Sequence, residues 1–241
     1  PETVVGRNPV VEALRARVPA TALYVAIGID ADERVTEAVA LAGAGRLALM
    51  EVSRAELDRM TGKALHQGLA LQVPPYTYLH PDDLLERALA TTAPLLVALD
   101  GVQDPHNLGA LIRSAEFFGA LGMFWARDRS ASLSPTVVRS SAGASERLAL
   151  GQVTNLARAL AACKEAGFWI LGTVADGGTS LQALVKAGLP DALVVVLGSE
   201  EKGLRRLTRE SCDFLATIPG AGGVASLNVS AAAAVTLSCV A

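Results

Sequence analysis

The feature that most constrains this chain is the alternation of short apolar runs with segments of helical period. Leu95–Asp100, Met123–Trp125, Trp169–Val174, Ala192–Leu197 and Phe214–Ile218 are apolar on successive residues. Runs of that kind belong to strands buried on both faces rather than to half-exposed ones. Between them lie helical patterns. Asn107–Phe118 carries Leu108, Leu111, Ile112 and Ala115 on one stripe, and Asn155–Ala166 and the Ala-rich Leu227–Val240 follow. Strands that alternate with helices specify an α/β fold with a mostly parallel sheet covered on both faces.

The N-terminal part reads as a smaller α/β unit. Arg7–Leu14 is helical with Val10, Val11 and Leu14 on one face, Thr21–Ile27 is a strand, and Asp32–Ala44 is a helix closing at Gly43 and Gly45. Leu47–Met50 is a strand, Ser53 with Glu56 forms a capping box for a helix, and Leu69–Val73 is a further strand. Pro74-Pro75 ends this pattern. The expected organisation is a domain at 1–75, a linker at 76–92 that includes a polar helix (Asp82–Ala90), and a second domain at 93–241. A length of 241 residues fits one or two domains.

Composition excludes several classes. With 51% hydrophobic residues the chain is too apolar to be disordered. It has 21 Lys+Arg against 24 Asp+Glu. Residues 1–75 hold 8 basic and 9 acidic side chains and the remainder 13 and 15, so neither part is a bulk polyanion binder. Any nucleic-acid contact has to come from local clusters. Arg127, Arg129, Arg139 and Arg147 lie in a serine-rich loop, and Arg205, Arg206 and Arg209 form a second group. Aromatic side chains make up only 4%, leaving Tyr76, Tyr78, Phe117 and Phe118 as stacking candidates, the last two read as core. Cys163, Cys212 and Cys239 lie far apart with no CxxC pair, which fits a reducing, cytoplasmic setting. No apolar run approaches the ~20 residues of a membrane span. His66 and His106 stand in turn-like contexts without a companion ligand set, so no metal site is expected.

Three segments sit where a strand meets a loop or helix, the place where ligands gather in open α/β sheets. The first runs from Leu99 through Asp100-Gly101-Val102-Gln103-Asp104-Pro105-His106-Asn107-Leu108-Gly109 to a helix bearing Arg113. On its own it is a strand, a turn and an Asn107 N-cap, with Arg113 pairing to Glu116. The second is Leu197-Gly198-Ser199-Glu200-Glu201-Lys202-Gly203-Leu204, where Glu200 at a strand end can orient a hydroxyl. The third runs from Ile218-Pro219-Gly220 to Ser226-Leu227-Asn228-Val229-Ser230. Its glycines match neither GxGxxG nor GxxxxGK[ST], which disfavours an ordinary nucleotide-dependent dehydrogenase.

Together and in this order, the three segments resemble the motifs of the SpoU (TrmH) family of RNA 2′-O-ribose methyltransferases, part of the knotted SPOUT superfamily. DPHNLGALIRSAE, VTNLARAL (Val153–Leu160) and GLRRLTRE (Gly203–Glu210) resemble its RlmB-type group, which modifies a guanosine in large-subunit (23S) ribosomal RNA. Val5-Gly6-Arg7-Asn8-Pro9-Val10 and His66-Gln67-Gly68 resemble that group's N-terminal, ribosomal-protein-like RNA-recognition domain. The resemblance implies a deep C-terminal trefoil knot that holds S-adenosylmethionine, with Thr173, Gly198, Ile218, Ser226 and Leu227 at the cofactor. It implies catalytic or substrate-orienting roles for Asn107, Arg113, Glu200 and Asn228, with Arg113 accepting the 2′-hydroxyl proton with help from an RNA phosphate; because a guanidinium stays charged, binding the phosphate and stabilising the developing alkoxide is the more conservative role for it. Arg7, Asn8, His66, Gln67, Arg127, Arg129 and Arg139 become RNA contacts, and the family works as a homodimer. Two positions depart from the pattern: Glu201 stands where glycine is usual, and Gly220 where methionine is. Alternatives within reach of the same residues are a tRNA or antibiotic-resistance methyltransferase, or a non-catalytic RNA-binding assembly protein.

Overall fold

The computed structural model describes residues 2–223 and 226–241. The chain divides into two compact units, one comprising residues up to Thr77 together with Ser134–Arg139, the other Tyr78–Leu133 and Ser140–Ala241.

The first unit contains β1 (Glu2–Val5), α1 (Arg7–Arg15), β2 (Ala22–Ala26), α2 (Glu33–Ala44), β3 (Ala48–Val52), α3 (Arg54–Met60) and β4 (Leu69–Val73). The sheet order is β1-β4-β2-β3, with β2 and β3 parallel and β4 antiparallel to both β1 and β2. The apolar faces of α1 and α2 supply Val10, Val11, Leu14, Val35, Ala38 and Ala42, which pack with Leu23, Val25, Leu69 and Leu71. On the other face Leu57 of α3 closes over Ala26 and Ala70. Asp32 caps α2 by accepting from Val35 N at 2.9 Å. Ser53 caps α3 by accepting from Glu56 N at 3.2 Å, but the Glu56 carboxylate pairs with Arg59. Half of the expected capping box therefore forms. β1 has too short a pattern to be read from the sequence; its register against β4 supplies the missing signal.

The second unit runs α4 (Pro81–Leu89), β5 (Leu95–Asp100), α5 (Pro105–Phe117), β6 (Gly122–Ala126), a 3₁₀ turn (Ala144–Glu146), β7 (Ala149–Val153) and α7 (Leu156–Glu165), while α6 (Pro135–Ser140), between β6 and the 3₁₀ turn in sequence, belongs to the first unit as far as Arg139. It ends with β8 (Trp169–Thr173), β9 (Thr179–Ser180), α8 (Leu181–Ala187), β10 (Leu193–Gly198), α9 (Arg206–Ser211), β11 (Phe214–Thr217) and α10 (Val229–Val240). The strand order is β7-β6-β5-β10-β8-β11-β9, and every pairing is parallel. Leu96, Ala98, Val194 and Val196 face one side, where α4 and α7 contribute Leu84, Ala88, Leu156 and Leu160. The alternate residues Val97, Leu99, Val195 and Leu197 are buried on the opposite side. There α10 packs on α5 and on β10. The segment expected as a linker is thus partly structural: Leu79 N donates to Leu150 O, and Leu84 and Ala88 belong to the core.

The 127–147 segment is not one loop, since it contains α6 and the 3₁₀ turn. Phe117, read as core, is 77% exposed. Tyr78 is a structural ring: it lies edge-on to Trp125 at 5.7 Å and its hydroxyl accepts from Leu133 N. Among the described residues no helix is long and apolar enough to cross a membrane, and no group of three or more His, Cys, Asp and Glu side chains is placed to hold a metal ion.

Burial pushes the Cys163 thiol up to about 11, and the same cause beside Asp213 pushes Cys212 up to about 11. Both stay protonated at neutral pH and are expected to resist iodoacetamide at pH 8 in the native protein, as read by mass spectrometry before and after denaturation. Leu96→Ala, at a fully buried position of β5, is expected to cost about 2–5 kcal/mol in urea denaturation.

Candidate functional site

The strand ends of the second unit build the site. β5 and β10 pair in register to their last residues, Asp100 opposite Gly198. Gly198 has no room for a side chain: a Cβ there would lie 2.3 Å from the carbonyl carbon of Gly203 and 2.5 Å from Leu204 N. That contact exists because the chain turns back at once. Gly203 N donates to Ser199 O at 2.8 Å and Ser199 N to Gly203 O at 3.2 Å, with Gly203 at φ +60°. Glu201 and Gly220, the two departures, do not occupy left-handed backbone, so neither position demands a particular residue for its conformation.

The closed turn presents Glu200 to two other segments. Glu200 Oε1 accepts from Asn107 Nδ2 at 3.2 Å, from Asn228 Nδ2, and from Val229 N at 3.4 Å. Asn228 Nδ2 also donates to Asn107 Oδ1 at 3.1 Å. Asn107 is free to do this because it is not the helix cap: Asp104 caps α5, accepting from His106 N and Asn107 N. Asn228 caps α10, accepting from Ser230 N at 2.9 Å. Three of the four expected catalytic side chains thus meet at one carboxylate oxygen, while Glu200 Oε2 has no partner among the described residues.

Arg113 does not join them. Six residues beyond Asn107 it lies about 9 Å further along the helix and on another face. It is exposed, and the anticipated pair with Glu116 does not form, because Glu116 binds Arg147 at 2.7 Å.

Two cavities flank the turn. One, of about 330 Å³, is lined by all five expected cofactor residues, Thr173, Gly198, Ile218, Ser226 and Leu227. Thr173 is held there by donating Oγ1 to Val196 O at 3.3 Å. Asp176 and Arg209, which the sequence did not single out for this role, line the same cavity. The other, of about 300 Å³, is lined by Gly101–Asp104, Asn107, Arg129 and Arg205. The Ser199–Lys202 turn and Val229 belong to both, so Glu200 stands in the shared wall.

Of the expected RNA contacts, Arg129 lines the second cavity. Arg127 is exposed. Arg139, itself part of the first unit, pairs at 3.7 Å with Glu12 of the same unit. The Arg205–Arg209 group is not a free basic patch. Arg205 is anchored to Asp100, which is only 1% exposed and whose Oδ2 accepts from Arg205 N at 2.7 Å while Oδ1 lies 3.5 Å from Nε. Arg206 pairs with Glu210, and Arg209 faces the first cavity. His66 is buried: its Nδ1 accepts from Gly68 N at 2.9 Å and its Nε2 meets Asp58 at 3.1 Å. Gln67 holds Arg7, taking the backbone N–H on Oε1 and Nε on its carbonyl. His66 and Gln67 therefore shape a loop.

Two adjoining cavities at the carboxyl ends of parallel strands, with an oriented carboxylate between them, define an α/β protein with a ligand site where open α/β sheets carry theirs. Comparison gives the family. Residues 94–238 match the SpoU rRNA methylase family model, and residues 3–79 match that for RNA 2′-O-ribose methyltransferase substrate binding. A Mycobacterium sp. (strain KMS) protein named as an uncharacterised tRNA/rRNA methyltransferase is 55% identical over 98% of this chain and 75% of its own length. A crystal structure of an RNA 2′-O-ribose methyltransferase superposes with a TM-score of 0.59 at 25% identity, covering 99% of this chain and 86% of that one. The SpoU methyltransferase AviRb of Streptomyces viridochromogenes, solved with AdoMet, shares the fold at TM-score 0.61 and 23% identity, over 99% and 88% of the two chains. The chain belongs to the SpoU family and is an RNA 2′-O-methyltransferase.

Gly198→Ala is expected to push the 199–203 turn off β10. It should cost about 1–3 kcal/mol in chemical denaturation, as overpacking does, and speed amide exchange within the turn.

Proposed function

We propose that the protein methylates the 2′-oxygen of a guanosine in large-subunit ribosomal RNA with S-adenosylmethionine as donor. The observation that carries this reading is the wall shared by two cavities, in which Glu200 Oε2 has no partner among the described residues. The first cavity fits the donor: Gly198 lets the 199–203 turn that forms part of its wall pack against β10, and Asp176 with Arg209 supplies one charge of each sign for an ammonium and a carboxylate. A bent adenosylmethionine has no pyrophosphate, so no GxGxxG is needed. When bound, the donor supplies an electrophilic methyl group on a sulfonium.

The protein's share is orientation and charge. Asn107 and Asn228 fix one oxygen of Glu200, so the other points at a ribose hydroxyl from a constrained carboxylate. Positioning of this kind contributes on the order of 7–11 kcal/mol in favourable cases. Arg129 and Lys202 at the second cavity suit the phosphates that flank an acceptor ribose.

The reading includes a homodimer. His106, Ala110, Arg113 and Phe117 form an exposed or half-exposed stripe on α5, and α10 carries no charged residue along its length. A second copy on this face would cover Phe117 and bring Arg113 to an acceptor site, where it binds phosphate and steadies the developing alkoxide. The trefoil knot stays part of the reading, supported by the order in which late strands enter the sheet, β10 between β5 and β8, and β11 beyond β8. Residues 1–75 would select the RNA, 76–92 connect, and 93–241 hold the donor, in a cytoplasmic enzyme.

Glu200→Gln is expected to lower methyl transfer at least about 100-fold, the lower range for a positioned acid–base group, with donor affinity within about threefold by calorimetry. Arg113→Ala is expected to abolish transfer with donor binding intact, and mixing the two inactive variants should restore part of the activity if Arg113 acts across a dimer. The substrate is tested by mapping 2′-O-methylation in RNA from cells with and without the gene. One large-subunit guanosine should lose its mark. A lost tRNA mark with ribosomal RNA unchanged selects the tRNA reading.

A further inference from the structure

In the first unit, β1, β2 and β3 run one way and β4 the other, so four loops meet at one end of the sheet. These are the loop after β1, the loop after β2, the turn into α3 and the loop before β4. They are tied together by Gly6 N to Leu69 O, Ala26 N to Gly68 O and Ile27 N to Val52 O. They enclose an open depression of about 530 Å³ lined by Arg7, Asn8, Asp32, Arg34, Arg54 and Gln67.

The three arginines are not equivalent. Arg7 is held on three sides, its backbone N–H and Nε by Gln67 and its Nη1 by Asp32. Among the described residues the Arg34 guanidinium pairs only with Glu37, at 3.4 Å, and Glu37 has a closer partner in Arg15 at 2.7 Å. Arg54 is exposed and has no ion pair among the described residues. Exposed contacts as long as that of Arg34 hold a side chain weakly. Two cations at the rim are therefore free to be taken up by an anion.

The same end exposes two large aliphatic side chains, Ile27 at 66% and Leu65 at 84%. Ile27 adjoins the turn into α3 through its bond to Val52, and the Leu65 carbonyl lies 3.6 Å from where a Cβ on Gly6 would stand. Apolar faces beside loose guanidinium groups suit an unpaired nucleotide, whose base needs a surface to lie on and whose phosphates need cations. A-form duplex RNA is recognised by shape and through 2′-OH and phosphate contacts across its minor groove, contacts that aliphatic side chains do not supply.

We infer that this end of the first unit binds an unpaired nucleotide of the substrate RNA, with Arg34 and Arg54 on the flanking phosphates and Leu65 and Ile27 beneath the base. The assignment rests on the RNA-methyltransferase reading above. It moves the RNA contacts of this unit from Arg7, His66 and Gln67, which build the loop, to residues that the motifs did not mark.

The test uses the full chain with a fluorescein-labelled RNA hairpin carrying a seven-nucleotide loop, and a blunt 16-base-pair RNA duplex. Arg34→Ala/Arg54→Ala is expected to weaken hairpin binding about 10-fold or more at low salt and to reduce the log–log salt slope by about 1.4, two single-strand phosphate contacts. Leu65→Ser, at a surface position, is expected to weaken hairpin binding about 5- to 10-fold without changing that slope or the Tm. Neither change should alter duplex binding. The double variant should raise the KM for a large-subunit ribosomal RNA transcript and leave kcat and donor affinity within about twofold. A double variant with wild-type hairpin affinity and slope, in an enzyme that still methylates RNA, overturns this inference alone. A wild-type enzyme that neither binds nor methylates RNA overturns it together with the reading it rests on.

Discussion

One carboxylate oxygen organises the site. Glu200 Oε1 gathers donors from Asn107, Asn228 and Val229, residues that lie 93, 28 and 29 positions away in the chain. Several donors on one oxygen form only if the first turn of α5, the turn after β10 and the start of α10 are all in place. The supporting devices are local. Asp104 caps α5 in place of Asn107, Gly198 lets the turn close against β10, and buried Asp100 fixes Arg205 on the far side of that turn. Each frees or positions a side chain that a different local choice would have occupied.

The fold was legible because its signal is period and burial. Strands such as Leu95–Asp100 are apolar at every position, and helices such as α5 and α7 show a single apolar stripe. Short or polar elements were missed, among them β1, β7, α6, α8, α9 and β9, where a handful of residues carries too little pattern. The site was legible as three motifs, and its convergence was implied by resemblance rather than visible in spacing. Asn107 shows the difference: as a local signal it reads as a cap, and only the neighbouring Asp104 releases it. Asp176 had no signal and Arg209 read only as one of a basic group, because a residue's presence in a cavity depends on which strand ends the topology makes adjacent.

Charge behaved in a way that counting cannot show. An overall balance of −3 hides the fact that many arginines are already satisfied: Arg147 by Glu116, Arg206 by Glu210, Arg205 by Asp100 and Arg7 by Asp32. The cations left without a strong internal partner include only part of each sequence cluster, such as Arg127 and Arg129, together with isolated residues such as Arg54. A near-neutral protein can thus address a polyanion at a few points, which favours selection of a site over retention on any RNA.

The central claim, that the Ser199–Gly203 turn and its carboxylate separate donor from acceptor, is tested most directly by amide hydrogen exchange with and without S-adenosylhomocysteine. The expected result is slowed exchange at Ser199–Gly203 and at Val229 on ligand addition, with the Gly101–Asp104 side of the wall left accessible. Protection confined to other strand ends, with exchange of the 199–203 turn unchanged, would contradict it.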